Sequence, residues 1–223
     1  MLSLNLIELG NTIFFCRYCG FPHENRIYIG VRKGFNNYKS YYCEHCGHKL
    51  HGSDLLQIPR KDQKGPKKQQ LLSLEDASFQ EKLESELEIV RKYRGFDVIA
   101  WSALNSEDEI LWRKVLNNTD TSYKKIRLQV GQGLAGKAVQ FEKPLRLLYI
   151  QALPEQFRSE YPIMACEDLN SAMVVPLELD GNPVGALMAA DREENKYTNE
   201  DLKKFLNDTR VAVSRAKNNP RKV

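Results

Sequence analysis

The chain has 223 residues, with 33 Lys and Arg against 29 Asp and Glu for a formal net charge of +4. That length admits one or two domains. No uninterrupted apolar run approaches the roughly 18 residues needed to cross a bilayer, so insertion in a membrane as a helix is not expected.

Four cysteines organise the first segment, residues 1–55. They form two tight pairs, Cys16-Arg-Tyr-Cys19 and Cys43-Glu-His-Cys46, separated by 23 residues. Two C-x-x-C turns can bring four thiolates to the corners of a tetrahedron, the geometry of structural Zn²⁺. Gly20 and Gly47 follow the pairs and let backbone turn beneath the metal, with amide N–H groups facing the sulfurs. The expectation is a β-rich zinc ribbon with Cys16, Cys19, Cys43 and Cys46 as metal ligands. His45, within the second pair, and His48, just after it, could replace a cysteine as ligand, but with four well-spaced cysteines they are read as outer neighbours of the metal or as exposed. A disulfide framework would need an oxidising compartment. Residues 1–15 contain Glu8, lack a basic start and show no small-residue cleavage site, so no export signal and a cytoplasmic location are expected.

Short strands are predicted at Thr12–Phe15, Arg26–Arg32 and Tyr38–Tyr42. So small a domain cannot rest on its apolar core, and zinc would supply much of its folding free energy. Phe14, Phe15, Tyr28, Phe35, Tyr38, Tyr41 and Tyr42 interleave with Arg26, Arg32, Lys33 and Lys39. Such residues either stack bases and contact phosphates, making nucleic acid a candidate partner, or fill the space between strands while their charges stay solvated.

Residues 1–70 hold 11 Lys and Arg against 5 Asp and Glu, together with all four histidines, whereas 71–223 hold 22 against 24. The positive excess is therefore local. It includes Arg60-Lys-Asp-Gln-Lys-Gly-Pro-Lys-Lys68, which has too few apolar groups to bury surface, and residues 56–72 read as a basic linker.

Residues 73–217 read as a second domain, followed by a tail at 218–223. Ser73 is a candidate cap for a helix carrying Phe79, Leu83, Leu87 and Val90 on one stripe. Strand patterns follow at Asp97–Leu104, Ile110–Leu116, Lys125–Val130, Leu145–Ile150, Ala172–Leu179 and Pro183–Ala190. Asp180-Gly181 marks a hairpin turn between the last two. Thr198-Asn-Glu-Asp201 is close to a capping box, and Leu202, Phe205, Leu206, Thr209 and Val213 form the stripe of a final helix. Helix, strands and helix describe an α+β domain: an antiparallel sheet with helices on one face.

Gly131-Gln-Gly-Leu-Ala-Gly-Lys-Ala-Val139, the strand Val184-Gly-Ala-Leu-Met188, the Ala-Ala-Asp191 ending and the capped last helix together resemble a GAF domain across 73–217. The resemblance implies a sensor of a small ligand, although a fold does not name its ligand. Trp112, Leu134-Ala135 and Tyr161-Pro162-Ile163 are similar, in type and order, to the pocket of nitrate-receptor GAF proteins. That similarity implies nitrate, or a related oxyanion such as nitrite, bound at these six residues. It also implies a sensor histidine kinase as partner in two-component regulation. The ribbon and linker depart from that pattern and leave the output open. The physics fits: nitrate is planar, singly charged and weakly hydrated, so the unpaired N–H groups at a helix start near Leu134 can receive it. Pro162 has no N–H to offer, Ile163 does, the Tyr161 hydroxyl can donate, and Trp112 would wall off water.

Each of these residues also has a packing role open to it: Trp112 as core, Leu134 and Ala135 as a helix face, and Tyr161–Ile163 as the anchor of a loop. Two other uses of the domain compete with anion sensing. Some GAF proteins reduce free methionine sulfoxide with a nucleophilic cysteine. Here only Cys166 is on offer, beside Glu167 and Asp168, whose charges disfavour a thiolate, and no histidine lies in the domain. No enzymatic activity is expected. A ligand-free domain used for homodimerisation is the remaining alternative.

Overall fold

The computed structural model describes the backbone of residues 3–16, 22–31, 40–42, 49–50 and 55–59, and residues 74–148, 150, 158–194 and 196–217 with their side chains. In the first segment β1 (Ser3–Cys16), β2 (Pro22–Val31), β3 (Ser40–Tyr42), β4 (Lys49–Leu50) and β5 (Leu55–Pro59) form an antiparallel sheet of order β4-β3-β2-β1-β5. The first strand is longer than the predicted Thr12–Phe15, and its register with β2 shifts between Glu8 and Ile13. Because β5 pairs with β1 from Leu55 to Pro59, regular structure extends into the stretch expected to be linker. Cys16 is the last residue of β1, opposite Leu55. The other expected metal ligands, Cys19, Cys43 and Cys46, lie outside the described residues, as do His45, His48, the rest of the linker and the tail.

The second body is built on a six-stranded antiparallel sheet of order β8-β7-β6-β11-β10-β9. Its strands are β6 (Val98–Leu104), β7 (Glu109–Leu116), β8 (Arg127–Gln129), β9 (Leu145–Leu147), β10 (Ser171–Leu179) and β11 (Asn182–Asp191). Among the described residues four α-helices accompany it: α1 (Ala77–Arg94), α2 (Gly133–Phe141), α3 (Pro162–Cys166) and α4 (Asn199–Lys217). A short 3-10 turn covers Ser122–Lys125.

The central strands are apolar on both sides, and this decides the layering. Every residue of β6 is buried. Val98, Ala100 and Leu104 enter one core, while Ile99, Trp101 and Ala103 enter another on the opposite face. That is the period-two alternation of a pleated strand with no wet side. Two apolar faces need two covers. α1 and α4 cover the core containing Trp101, and α2 and α3 cover the core containing Val98. The expectation of helices on a single face is therefore corrected.

α1 buries Phe79, Leu83 and Leu87, the predicted stripe. Its cap differs from the predicted one. Asp76 accepts from Phe79 N–H at 3.0 Å, and Ser73 falls outside the described residues. At the other end Gly95 takes φ 70° and donates to the Arg91 carbonyl, a left-handed stop open to glycine at little cost. α4 starts as predicted: Asp201 accepts from Thr198 N–H at 2.8 Å, and Asp201 N–H donates to the Thr198 hydroxyl at 3.2 Å. Arg94 holds α1 to α4 by two bonds to Asp208, at 2.7 and 3.2 Å. Phe96 packs edge-on against Tyr197 and Phe205 beneath them. Thr198→Ala removes both hydroxyl bonds to Asp201, the cap to its N–H and the one donated to its carboxylate, and is expected to lower stability by about 1 kcal/mol, measured by urea unfolding.

The end of β11 is tied to its surroundings by one carboxylate. Asp191 is fully buried and accepts from Asp97 N–H at 2.8 Å, from Lys196 Nζ at 2.8 Å and from the Tyr197 hydroxyl. Burial first, then the Asp191 charge, keeps the Tyr197 phenol protonated far above its ordinary range. Among the described residues no helix is long and apolar enough to cross a membrane.

Candidate functional site

The turn from β8 into α2 is shaped by glycines. Gly131 and Gly133 have φ of 93° and 59°, the left-handed region. At Gly136 a Cβ would lie 2.5 Å from the Gln129 carbonyl oxygen, so only glycine lets the helix pass this close to the strand it leaves. Gln132 N–H donates to the Gln129 carbonyl at 2.9 Å, and Gln129 N–H donates to Gln132 Oε1 at 3.0 Å. The first helical bond runs from Gly136 N–H to the Gln132 carbonyl, 2.9 Å. The amides of Gly133, Leu134 and Ala135 therefore have no acceptor within their own helix and stand at its positive end.

The predicted loop Tyr161-Pro162-Ile163 is the start of α3, with Pro162 in its first turn. A missing N–H costs nothing there, and its φ is already helical. The segment meets α2 directly. A Cβ on Gly133 would lie 3.3 Å from the Glu160 carbonyl oxygen, and Lys137 Nζ lies 3.2 Å from the Tyr161 hydroxyl and 3.3 Å from Glu160 Oε2. The same ammonium sits 5.2 Å from the Tyr161 ring centroid. Lys137 and Glu160 were not expected here. The available signal was helical spacing, which sets Lys137 one turn beyond Gly133.

Trp112 comes from β7, opposite Ser102. A bulge follows, because Ser102 pairs with Trp112 while Trp101 pairs with Lys114. The extra residue keeps Ile110, Trp112 and Val115 in the same core. Five of the six predicted ligand residues thus converge on one core: Trp112 (4% exposed), Leu134 (3%), Ala135 (0%), Tyr161 (2%) and Ile163 (2%), with Pro162 half-buried. This exposure screens the group from water. The Trp112 Nε1 is buried with no hydrogen-bond partner. Among the described residues, two open clefts that stand out lie elsewhere, and neither is lined by these residues. One of ≈ 230 Å³ runs between α4 and β10–β11 past Leu187, Thr209 and Val213, and one of ≈ 410 Å³ lies by Tyr93, Lys196 and Lys204.

Cys166 is half-buried at the end of α3. Burial raises its thiol pKa most, followed by the charges of Glu167 and Asp120. Asp120 replaces the expected Asp168, which occupies a left-handed turn position (φ 53°). Asp120 arrives from the loop after β7, a proximity no local pattern in the chain announces.

A family model described as "GAF domain" matches residues 76–206, more than half of the chain. No curated protein matches. Among solved structures, the chain is similar to Staphylococcus aureus NreA mutated in its nitrate binding site, at 27% identity over 58% of this chain and 98% of that one, TM-score 0.49. It is also similar to hypothetical protein SA1058 from S. aureus, at 28% identity over 54% and 98%, TM-score 0.47. Free methionine-R-sulfoxide reductase from Neisseria meningitidis, in complex with its substrate, shares 17% identity over 66% and 83%, TM-score 0.52. At that identity the last likeness is one of fold. The curled six-stranded sheet, the glycine turn into α2 and the matched span agree, and the chain belongs to the GAF domain family.

Proposed function

We propose that this chain is a cytoplasmic, non-enzymatic sensor whose GAF domain binds a small oxyanion, nitrate or nitrite, and signals its occupancy to a partner such as a sensor histidine kinase. The observation that carries this reading is the gathering of unpaired donors in one buried core. Trp112 Nε1 has no partner, the Leu134 and Ala135 amides precede the first bond of α2, and Ile163 contributes the first amide after Pro162 in α3. In such a setting each bond to an anion counts for more than it does in water. Lys137 beside Tyr161 adds a positive charge. The four N-terminal cysteines belong to the same proposal as ligands of one structural Zn²⁺ that folds the ribbon.

The test is a thermal-shift titration of the full chain with nitrate, nitrite, chloride and perchlorate at constant ionic strength. Nitrate at 100 times its Kd is expected to add about 2.7 kcal/mol and raise the melting temperature by several degrees, while chloride does not. An equal response to every anion, or none, removes the proposal.

A further inference from the structure

We propose that Asp120, Cys166 and Glu167 bind one divalent ion of the Zn²⁺ class, using none of the six residues proposed for the anion and none of the four N-terminal cysteines. Asp120 belongs to the loop between β7 and the 3-10 turn, whereas Cys166 ends α3 and Glu167 caps it. Thr119 fastens the two loops together. Its N–H and its hydroxyl donate to Glu167 Oε2 at 2.6 and 2.9 Å, and the hydroxyl also reaches the Cys166 carbonyl at 3.4 Å. One donor atom from each of Asp120, Cys166 and Glu167 then lies within 4.8 Å of the others. Exposed Asp120 can close the remaining distance, and Ser122 already orients it by bonds of 2.6 and 2.9 Å to its two carboxylate oxygens.

The independent sign of a ligand is on Glu167. Its side chain is 0% exposed, and Oε1 has no hydrogen-bond partner although Oε2 has two. A buried carboxylate oxygen without a donor is costly, and a coordinated cation supplies what it lacks. The donor set selects the class of ion. A thiolate with two carboxylates suits Zn²⁺, Co²⁺ or Fe²⁺, whereas Mg²⁺ and Ca²⁺ take oxygen ligands. Three protein ligands leave a fourth position of the tetrahedron for water. On binding, the Cys166 thiol gives its proton to solvent and the sulfur–metal bond forms, with no change of oxidation state.

The test uses the full chain, stripped with a chelator and reloaded with Zn²⁺ or Co²⁺, with metal counted per chain. Two ions are expected for the wild type. Cys166→Ala is expected to lose one of them and to remove a sulfur-to-cobalt charge-transfer band from the Co²⁺ difference spectrum. Cys19→Ser/Cys46→Ser should lose the other ion. Asp120→Asn, at an exposed position, keeps the fold and is expected to weaken the second site by on the order of tenfold or more. If the wild type binds one ion and Cys166→Ala none, the three-residue site stands and the ribbon assignment falls. If Cys166→Ala and Asp120→Asn bind as much metal, as tightly, as the wild type, the three-residue site is overturned.

Discussion

Gly185→Ala is expected to be the most destabilising single methyl addition in the sheet. Gly185 lies in β11 opposite Ala103 of β6, where a Cβ would fall 2.0 Å from the Ser102 carbonyl oxygen and 2.8 Å from its carbon. Both atoms are backbone of the neighbouring central strand, so no rotamer change relieves the contact and the strands must part. Parting them breaks the pairing that carries both cores, and the cost is placed at about 3 kcal/mol or more. For a chain of this size that lowers the melting temperature by roughly 6–12 °C. Gly181→Ala in the adjacent hairpin is the matched control. There φ is 77° and nothing lies within 4 Å, so only the left-handed penalty of about 1–2 kcal/mol applies. Equal losses at the two positions would show that β6 and β11 do not approach as closely as described.

Trp112→Phe is expected to weaken nitrate binding by roughly 10- to 150-fold, the equivalent of one hydrogen bond to a charged acceptor worth about 1.5–3 kcal/mol. The substitution keeps an aromatic ring in the core and deletes the indole N–H. Trp101 supplies a strict comparison. Its Nε1 is also buried without a partner, but it projects into the core on the opposite face of the sheet. Trp101→Phe should therefore cost a similar amount of packing and leave the nitrate affinity unchanged. Isothermal titration of both variants separates the outcomes. A loss in Trp101→Phe equal to that in Trp112→Phe would refer the effect to general loosening and not to a contact with the anion.

The parts of this structure readable from sequence are those with local causes. Strand-like runs rich in apolar residues located all six strands of the GAF body, with small errors at the ends. Asp180 and Gly181 turn where predicted, with φ of 51° and 77°. The Gly131–Gly136 run marked the start of α2 because close backbone approach and left-handed φ leave few residue types. Long-range features were hidden. β6 (Val-Ile-Ala-Trp-Ser-Ala-Leu) is a near-continuous apolar run, the pattern of a strand covered on both faces, so the sequence did carry a sign of a second layer, but not which helices, α2 and α3, would form it. The bulge after Trp112 has no glycine or proline to announce it. The six residues proposed for the anion were named by resemblance, and the meeting of five of them in one core depends on pairings such as β7 with β8. Asp120 and Glu167 come together only through the packing of two loops.

The carboxylate of Asp191 has a consequence for how the domain opens. It is buried, it is ion-paired with Lys196, and it anchors the start of β6, the end of β11 and the approach to α4 at once. Releasing any one tether strands charge away from water, so none is released singly at low cost. These three chain segments are expected to open together, so that in a hydrogen-exchange measurement the amides of Asp97, Arg192 and the first turn of α4 share one opening free energy. The last helix is thereby latched to the sheet just before it begins.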